Sequence, residues 1–201
     1  MIQHIYYDPL DTLILTILSQ NTNDKNRDLA YANLIEKYRS WDKVAAAPLQ
    51  KIASLIKVGG LSNQKSKTIK STLAWIKHIN KKLELNFLCP MDTAEATRLL
   101  TSQKGIGIKT AYVTLLFGCS KKVFPVDTHI LRISKRLGLI PEKTTLEKAH
   151  MLLNKIIPKD QCYSLHLNLI AHGKNICQAR KPKCDRCKIR KYCRFVTKVC
   201  S

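Results

Sequence analysis

Four cysteines close to the end of the chain have spacing that can do inorganic chemistry: Cys177-x6-Cys184-x2-Cys187-x5-Cys193. Four thiolates within seventeen loop-like residues can converge on one centre, and such quartets bind zinc tetrahedrally or hold an iron–sulfur cluster. Structural zinc usually comes with two short C-x2-C pairs and here there is one, so spacing alone leaves both metals open. A second candidate lies mid-chain, at Gln103-Lys104-Gly105-Ile106-Gly107-Ile108-Lys109-Thr110-Ala111. Gly105 and Gly107, separated by one apolar residue, make a tight turn between two helical stretches. Such a turn aims backbone N–H groups at a phosphate and lets a nucleic-acid backbone come close. Lys109 follows at once, near a predicted helix start.

The elements that must position these groups read as helices almost throughout. Leu10, Leu13, Ile14, Ile17 and Leu18 follow the i, i+3, i+4, i+7, i+8 pattern. Tyr31, Leu34, Ile35 and Tyr38 repeat it, as do Leu49, Ile52, Ala53 and Ile56. Further helices fit 64–80, 92–101, 109–117, 128–137, 144–156 and 161–172, punctuated by Pro48, Gly59-Gly60, Pro90, Pro125, Gly138, Pro141 and Pro158. No run alternates long enough to argue a sheet. The expectation is an all-α protein of about ten short helices with an irregular Cys-rich tail. Cys89, Cys119 and Cys162 sit among apolar residues and read as buried small hydrophobes; Cys200 receives no role.

Charge points to the partner. The chain of 201 residues has 35 Lys or Arg against 14 Asp or Glu, a formal net charge of +21. A polyanion offsets the self-repulsion, and nucleic acid is the leading candidate. Residues 174–201 hold ten of the cations and one acid, Asp185, which reads as a local footprint. Apolar runs as short as Leu13-Ile14-Leu15 exclude a membrane span, and the start Met1-Ile2-Gln3-His4 shows no secretory signal. The expected location is the cytoplasm of a prokaryote, at the nucleoid.

The same residues resemble one family in five ordered blocks, from about residue 9 to 195. Gly105 to Ala111 resembles the helix–hairpin–helix of the endonuclease III family of DNA glycosylases. Val126-Asp127-Thr128-His129-Ile130 looks like its aspartate segment, and His172-Gly173 with the cysteine quartet is similar to its 4Fe–4S loop. Leu18-Ser19-Gln20-Asn21-Thr22-Asn23-Asp24 and Gly60-Leu61-Ser62-Asn63-Gln64-Lys65 resemble its two DNA-probing loops. The resemblance implies a two-lobed helix–hairpin–helix glycosylase fold with a C-terminal iron–sulfur loop. Residues 9–120 would form a helical barrel, and residues 1–8 with 121–201 the cluster domain, with the DNA cleft between them. It implies a bifunctional enzyme that removes a damaged base, an oxidised pyrimidine by expectation, and then nicks the abasic strand.

Lys109 would attack C1′ and form a Schiff base that permits β-elimination, with Asp127 stabilising the cationic sugar or accepting the lysine proton. Asp127 would also cap its helix, and His129 would orient backbone or pack. Cys177, Cys184, Cys187 and Cys193 would hold a 4Fe–4S cluster. Leu61 would be the apolar wedge and Asn21 the polar filler in the hole left by the extruded nucleotide. Ser19 and Asp24 match polar positions near the site. Gly105, Gly107, Arg180, Lys181 and Lys183 would contact the backbone of double-stranded DNA bearing damaged bases or abasic sites, bound by a monomer. Asn21 and Thr101 depart from the family's usual Gln and Glu beside the lesion pocket, and Gln103-Lys104 from its usual apolar-Pro pair. The alternatives are a uracil or thymine mismatch glycosylase on the same scaffold and a non-catalytic DNA-binding module with a metal-stapled basic tail.

Overall fold

The computed structural model describes residues 7–199, so Cys200 lies outside it. Eleven α-helices run along these residues and no strand occurs among them. They are α1 Pro9–Leu18, α2 Asp24–Tyr38, α3 Trp41–Ala46, α4 Leu49–Leu55, α5 Ser62–Asn80 and α6 Thr93–Ser102. After these come α7 Ile108–Val113, α8 Thr128–Leu137, α9 Leu146–Ile156, α10 Cys162–Asn175 and α11 Arg194–Val199. Two of these, α3 and α11, were not foreseen; α3 is too short for a periodicity, and α11 lies within the basic tail. The stretch read as one helix over 109–117 is α7 followed by a π-helical turn, Thr114–Gly118.

The helices fall into two units, one ending at Lys121 and one beginning at Lys122. Side-chain caps start many of them. Asp8, Asn23, Ser40 and Asp92 accept backbone N–H groups at the starts of α1, α2, α3 and α6. In the first unit α1 is the central element, packed against α2, α5 and α7. Leu10, Leu13, Ile14, Ile17 and Leu18 are all buried, and Ile69, Leu73 and Ile76 of α5 join them. Each such side chain contributes about 1.5–3 kcal/mol relative to exposure. Thr12 and Thr16, also buried in α1, return their hydroxyls to the carbonyls of Asp8 and Thr12. Tyr7 and Asp8, expected with the second lobe, belong to the first unit: the Tyr7 N–H donates to Phe117 O and Asp8 caps α1.

Cys89 and Cys119 are not the buried free thiols expected from their apolar neighbours. They are half-buried and joined in a disulfide, across a separation of 30 residues that contains α6 and α7. Cys162 is a buried free thiol as expected. In the second unit α8 packs against α9, α10 and α11. Phe124, Val126, Ile130 and Ile133 form its core with Ala149 and Leu153 of α9.

Candidate active site

The turn between α6 and α7 is built from the inside. Ile106 is buried beneath it, and its N–H donates to Gln103 O at 3.1 Å. The Gln103 side chain donates to Ser71 Oγ at 3.3 Å, which ties the turn to α5. The two glycines have different reasons to be there. Gly105 adopts φ +91, and a Cβ would stand 2.8 Å from Thr68 Cγ2 of α5. A Cβ on Gly107 would meet nothing within 4 Å, so this glycine leaves open space on an exposed face. Gly107 is the N-cap of α7, which puts Lys109 in the first turn, half-buried.

Asp127 sits at the N-cap of α8 and accepts the Ile130 N–H at 2.7 Å. One carboxylate oxygen is thereby committed to the helix start. The extended segment before it has its backbone held by side chains from two other helices. Asn154 of α9 accepts the Phe124 N–H at 2.8 Å and donates back to Phe124 O at 2.9 Å. His166 of α10 bonds Pro125 O through Nδ1 at 3.0 Å. His150 of α9, fully buried, accepts the Val126 N–H at Nε2, so its proton is on Nδ1, 3.0 Å from Leu146 O. Three successive residues before Asp127 are thus fixed without a sheet. Sequence reasoning missed this cage, because a His and an Asn on helices carry no signal of what they face. His129 packs as expected. It accepts from Arg132 Nη2 at 3.1 Å and lies so close to α10 that a Cβ on Gly173 would stand 2.7 Å from its Cβ.

The four tail cysteines are free thiols that border one cavity, with Ile133, Leu137, Ile176 and Phe195 among its apolar walls. Burial lifts the Cys184 thiol pKa, and neighbouring Cys177, Cys193 and Cys187 push it the same way. Among the described residues no three His, Cys, Asp or Glu side chains converge closely enough for a single metal ion. Four free thiols around one cavity are a donor set that fits a thiolate-bound metal centre.

Two arginines absent from the sequence reading hold this loop from α8. Arg132 donates to Cys177 O and Gly173 O, at 2.8 and 3.0 Å. Arg136 donates to Cys177 Sγ at 3.2 Å and to Gln178 O at 2.7 Å, and its guanidinium lies 4.6 Å from the Phe195 ring centroid. Their i, i+4 spacing on α8 was the available signal. Between Cys177 and Cys184, Arg180, Lys181 and Lys183 are all exposed, and Lys181 adopts φ 51.

Asn21 and Leu61 are exposed residues of the first unit, and both have left-handed backbones, φ 50 and φ 48. For leucine this is a disfavoured conformation. Ser19 turns back to donate to Thr16 O, and Asp24 pairs with Arg27 at 3.3 Å.

Residues 14–159 match the HhH-GPD superfamily of base excision DNA repair proteins, and the chain belongs to that family. It is 35% identical to an endonuclease III of Sulfolobus acidocaldarius, over 92% of this chain and 81% of that one. Among solved structures it is similar to a trapped endonuclease III–DNA covalent intermediate. There the identity is 29% and the TM-score 0.83, with 98% of this chain and 88% of the other covered. A thermostable thymine-DNA glycosylase is similar at 25% identity and a TM-score of 0.81, covering 95% of this chain and 85% of that one.

Proposed function

We propose that this base excision repair protein is a bifunctional DNA glycosylase and abasic-site lyase. It acts as a monomer on double-stranded DNA, with Lys109 as nucleophile and Asp127 as its carboxylate partner. The observation that carries the reading is Lys109 in the first turn of α7, directly behind a hairpin whose Gly107 opens to solvent. An amine there can add to C1′ of the damaged nucleotide as the N-glycosidic bond breaks and the base leaves. The nitrogen loses a proton, its lone pair then breaks the C1′–O4′ bond and opens the sugar ring with O4′ taking up a proton, which gives the Schiff base; removal of a C2′ proton then expels the 3′ phosphate. The free oxygen of Asp127 stabilises the cationic sugar or receives the amine proton. Similarity to a trapped endonuclease III–DNA covalent intermediate supports the covalent route.

Asn21 and Leu61 fill the hole left by the extruded nucleotide, which offsets part of the unstacking. Gly105, Gly107, Arg180, Lys181 and Lys183 serve the phosphate backbone. Cys177, Cys184, Cys187 and Cys193 hold a 4Fe–4S cluster, which pins both ends of the basic loop. With its ends pinned, the loop presents its cations at a lower entropic cost. Oxidised pyrimidines are the proposed lesions. The thymine-DNA glycosylase similarity favours mismatched thymine or uracil as the second reading.

The test is a panel of duplexes, each with one lesion, incubated with wild type and with Lys109→Gln. Excision and nicking of oxidised pyrimidines by wild type alone supports the proposal. Preference for mismatched thymine or uracil supports the second reading. Binding without base release from any duplex overturns both.

A further inference from the structure

Lys65 of α5 is 1% exposed, and it is a charged side chain in the interior of the first unit. Its Nζ donates to Leu18 O and to Gly59 O, both at 2.7 Å. Its main-chain N–H donates to Leu61 O at 2.9 Å. Among the described residues no carboxylate pairs with it. Burial pulls its pKa below the ordinary lysine value, as expected for an ammonium taken out of water. A methionine would fill the same space without that desolvation penalty. What the ammonium can do and the thioether cannot is hold two carbonyls at once.

Those carbonyls are the ends of two separate elements. Leu18 is the last residue of α1, and three residues on stands Asn21, exposed at φ 50. Gly59 closes a short 3-10 turn, and two residues on stands Leu61, 48% exposed at φ 48. A left-handed Leu persists only where its surroundings over-determine it. We infer that Lys65 is a positioning residue for base extrusion: its ammonium couples the Asn21 loop to the Leu61 turn, so that DNA meets both as one rigid probe. The inference rests on the reading of Asn21 and Leu61 as the residues that fill the vacated stack. A probe fixed in advance loses less freedom on binding, and more of its contact energy is left to unstack the base.

Two duplexes test this in single-turnover measurements on the full chain: one with a damaged base still stacked, one with a pre-formed abasic site. For Lys65→Met, base excision is expected to fall by about tenfold or more and abasic-site incision by less than about threefold, because no base remains to be unstacked. Lys65→Arg, which keeps charge and donors, is expected to show a smaller loss with the same selectivity. If Lys65→Met does not fold, the excision-to-incision ratio of Lys65→Arg decides. In an Asn21→Ala/Leu61→Ala background, Lys65→Met is expected to add nothing to the excision defect. Equal losses on both duplexes, or full additivity, make Lys65 a fold-holding residue only and overturn the inference. If Asn21→Ala and Leu61→Ala leave the ratio unchanged, the reading beneath fails and the inference falls with it. If they lower the ratio and neither Lys65 variant does, the inference alone fails.

Discussion

Asp127 commits one carboxylate oxygen to the Ile130 N–H, so its cap and its proposed catalytic role can be separated by substitution. Asn caps a helix about as well as Asp, but it cannot stabilise a cation or accept a proton as a carboxylate does. Asp127→Asn is therefore expected to keep its melting temperature and to lose at least about a hundredfold in single-turnover excision. Asp127→Ala is expected to lose about 1 kcal/mol of stability as well, read by denaturant unfolding. A fully active Asp127→Asn would reduce this residue to a cap. The cap was legible in the sequence, since an Asp before a helical stretch is a common start signal. The cage of His150, Asn154 and His166 behind it was not, because its bonds run to backbone groups about 24 to 41 residues away.

At the scale of elements, the hairpin makes the sharpest comparison, because its two glycines answer to different demands. Gly105→Ala meets both a positive φ and Thr68, and is expected to cost roughly 1–3 kcal/mol in unfolding free energy. Gly107→Ala enters open space at ordinary φ. It is expected to leave stability within about 0.5–1 kcal/mol of wild type while weakening duplex binding several-fold in a titration. The reverse pattern would contradict the assignment of the exposed glycine to the phosphate backbone. The helices themselves were legible wherever an apolar stripe ran two turns or more, as in α1, α4 and α5. What periodicity could not show was bonding between elements. Cys89 and Cys119 read as small hydrophobes because residue type says nothing of which sulfur lies opposite. Lys65 stood only as the last residue of the Gly60-to-Lys65 block, with no role of its own, when its ammonium is buried between two chain segments.

For the whole molecule, the charge of +21 and the tail predict how binding depends on salt. Replacing Arg180, Lys181 and Lys183 by Ser is expected to weaken binding to all duplexes alike and to flatten the log–log salt slope by up to about 2.7. A sequence-selective loss would contradict a backbone role for this loop. The cysteine quartet makes a compositional prediction: aerobically purified protein is expected to carry about four iron atoms per chain with a broad visible absorption band. Cys187→Ser is expected to lose the band and lower the melting temperature. Stoichiometric zinc in a colourless protein would overturn the cluster. The net charge and the quartet were plain in the sequence, while the arginines that anchor the loop became visible only once α8 and the tail were folded together.

The central claim is that one amine, Lys109, bonds covalently to deoxyribose. Borohydride reduction of the protein mixed with abasic duplex DNA tests it most directly, followed by mass mapping of the adduct. The expected result is a wild-type adduct on Lys109 and none with Lys109→Gln, whose duplex affinity stays within a few-fold of wild type. No wild-type adduct, or an undiminished one with Lys109→Gln, would contradict it.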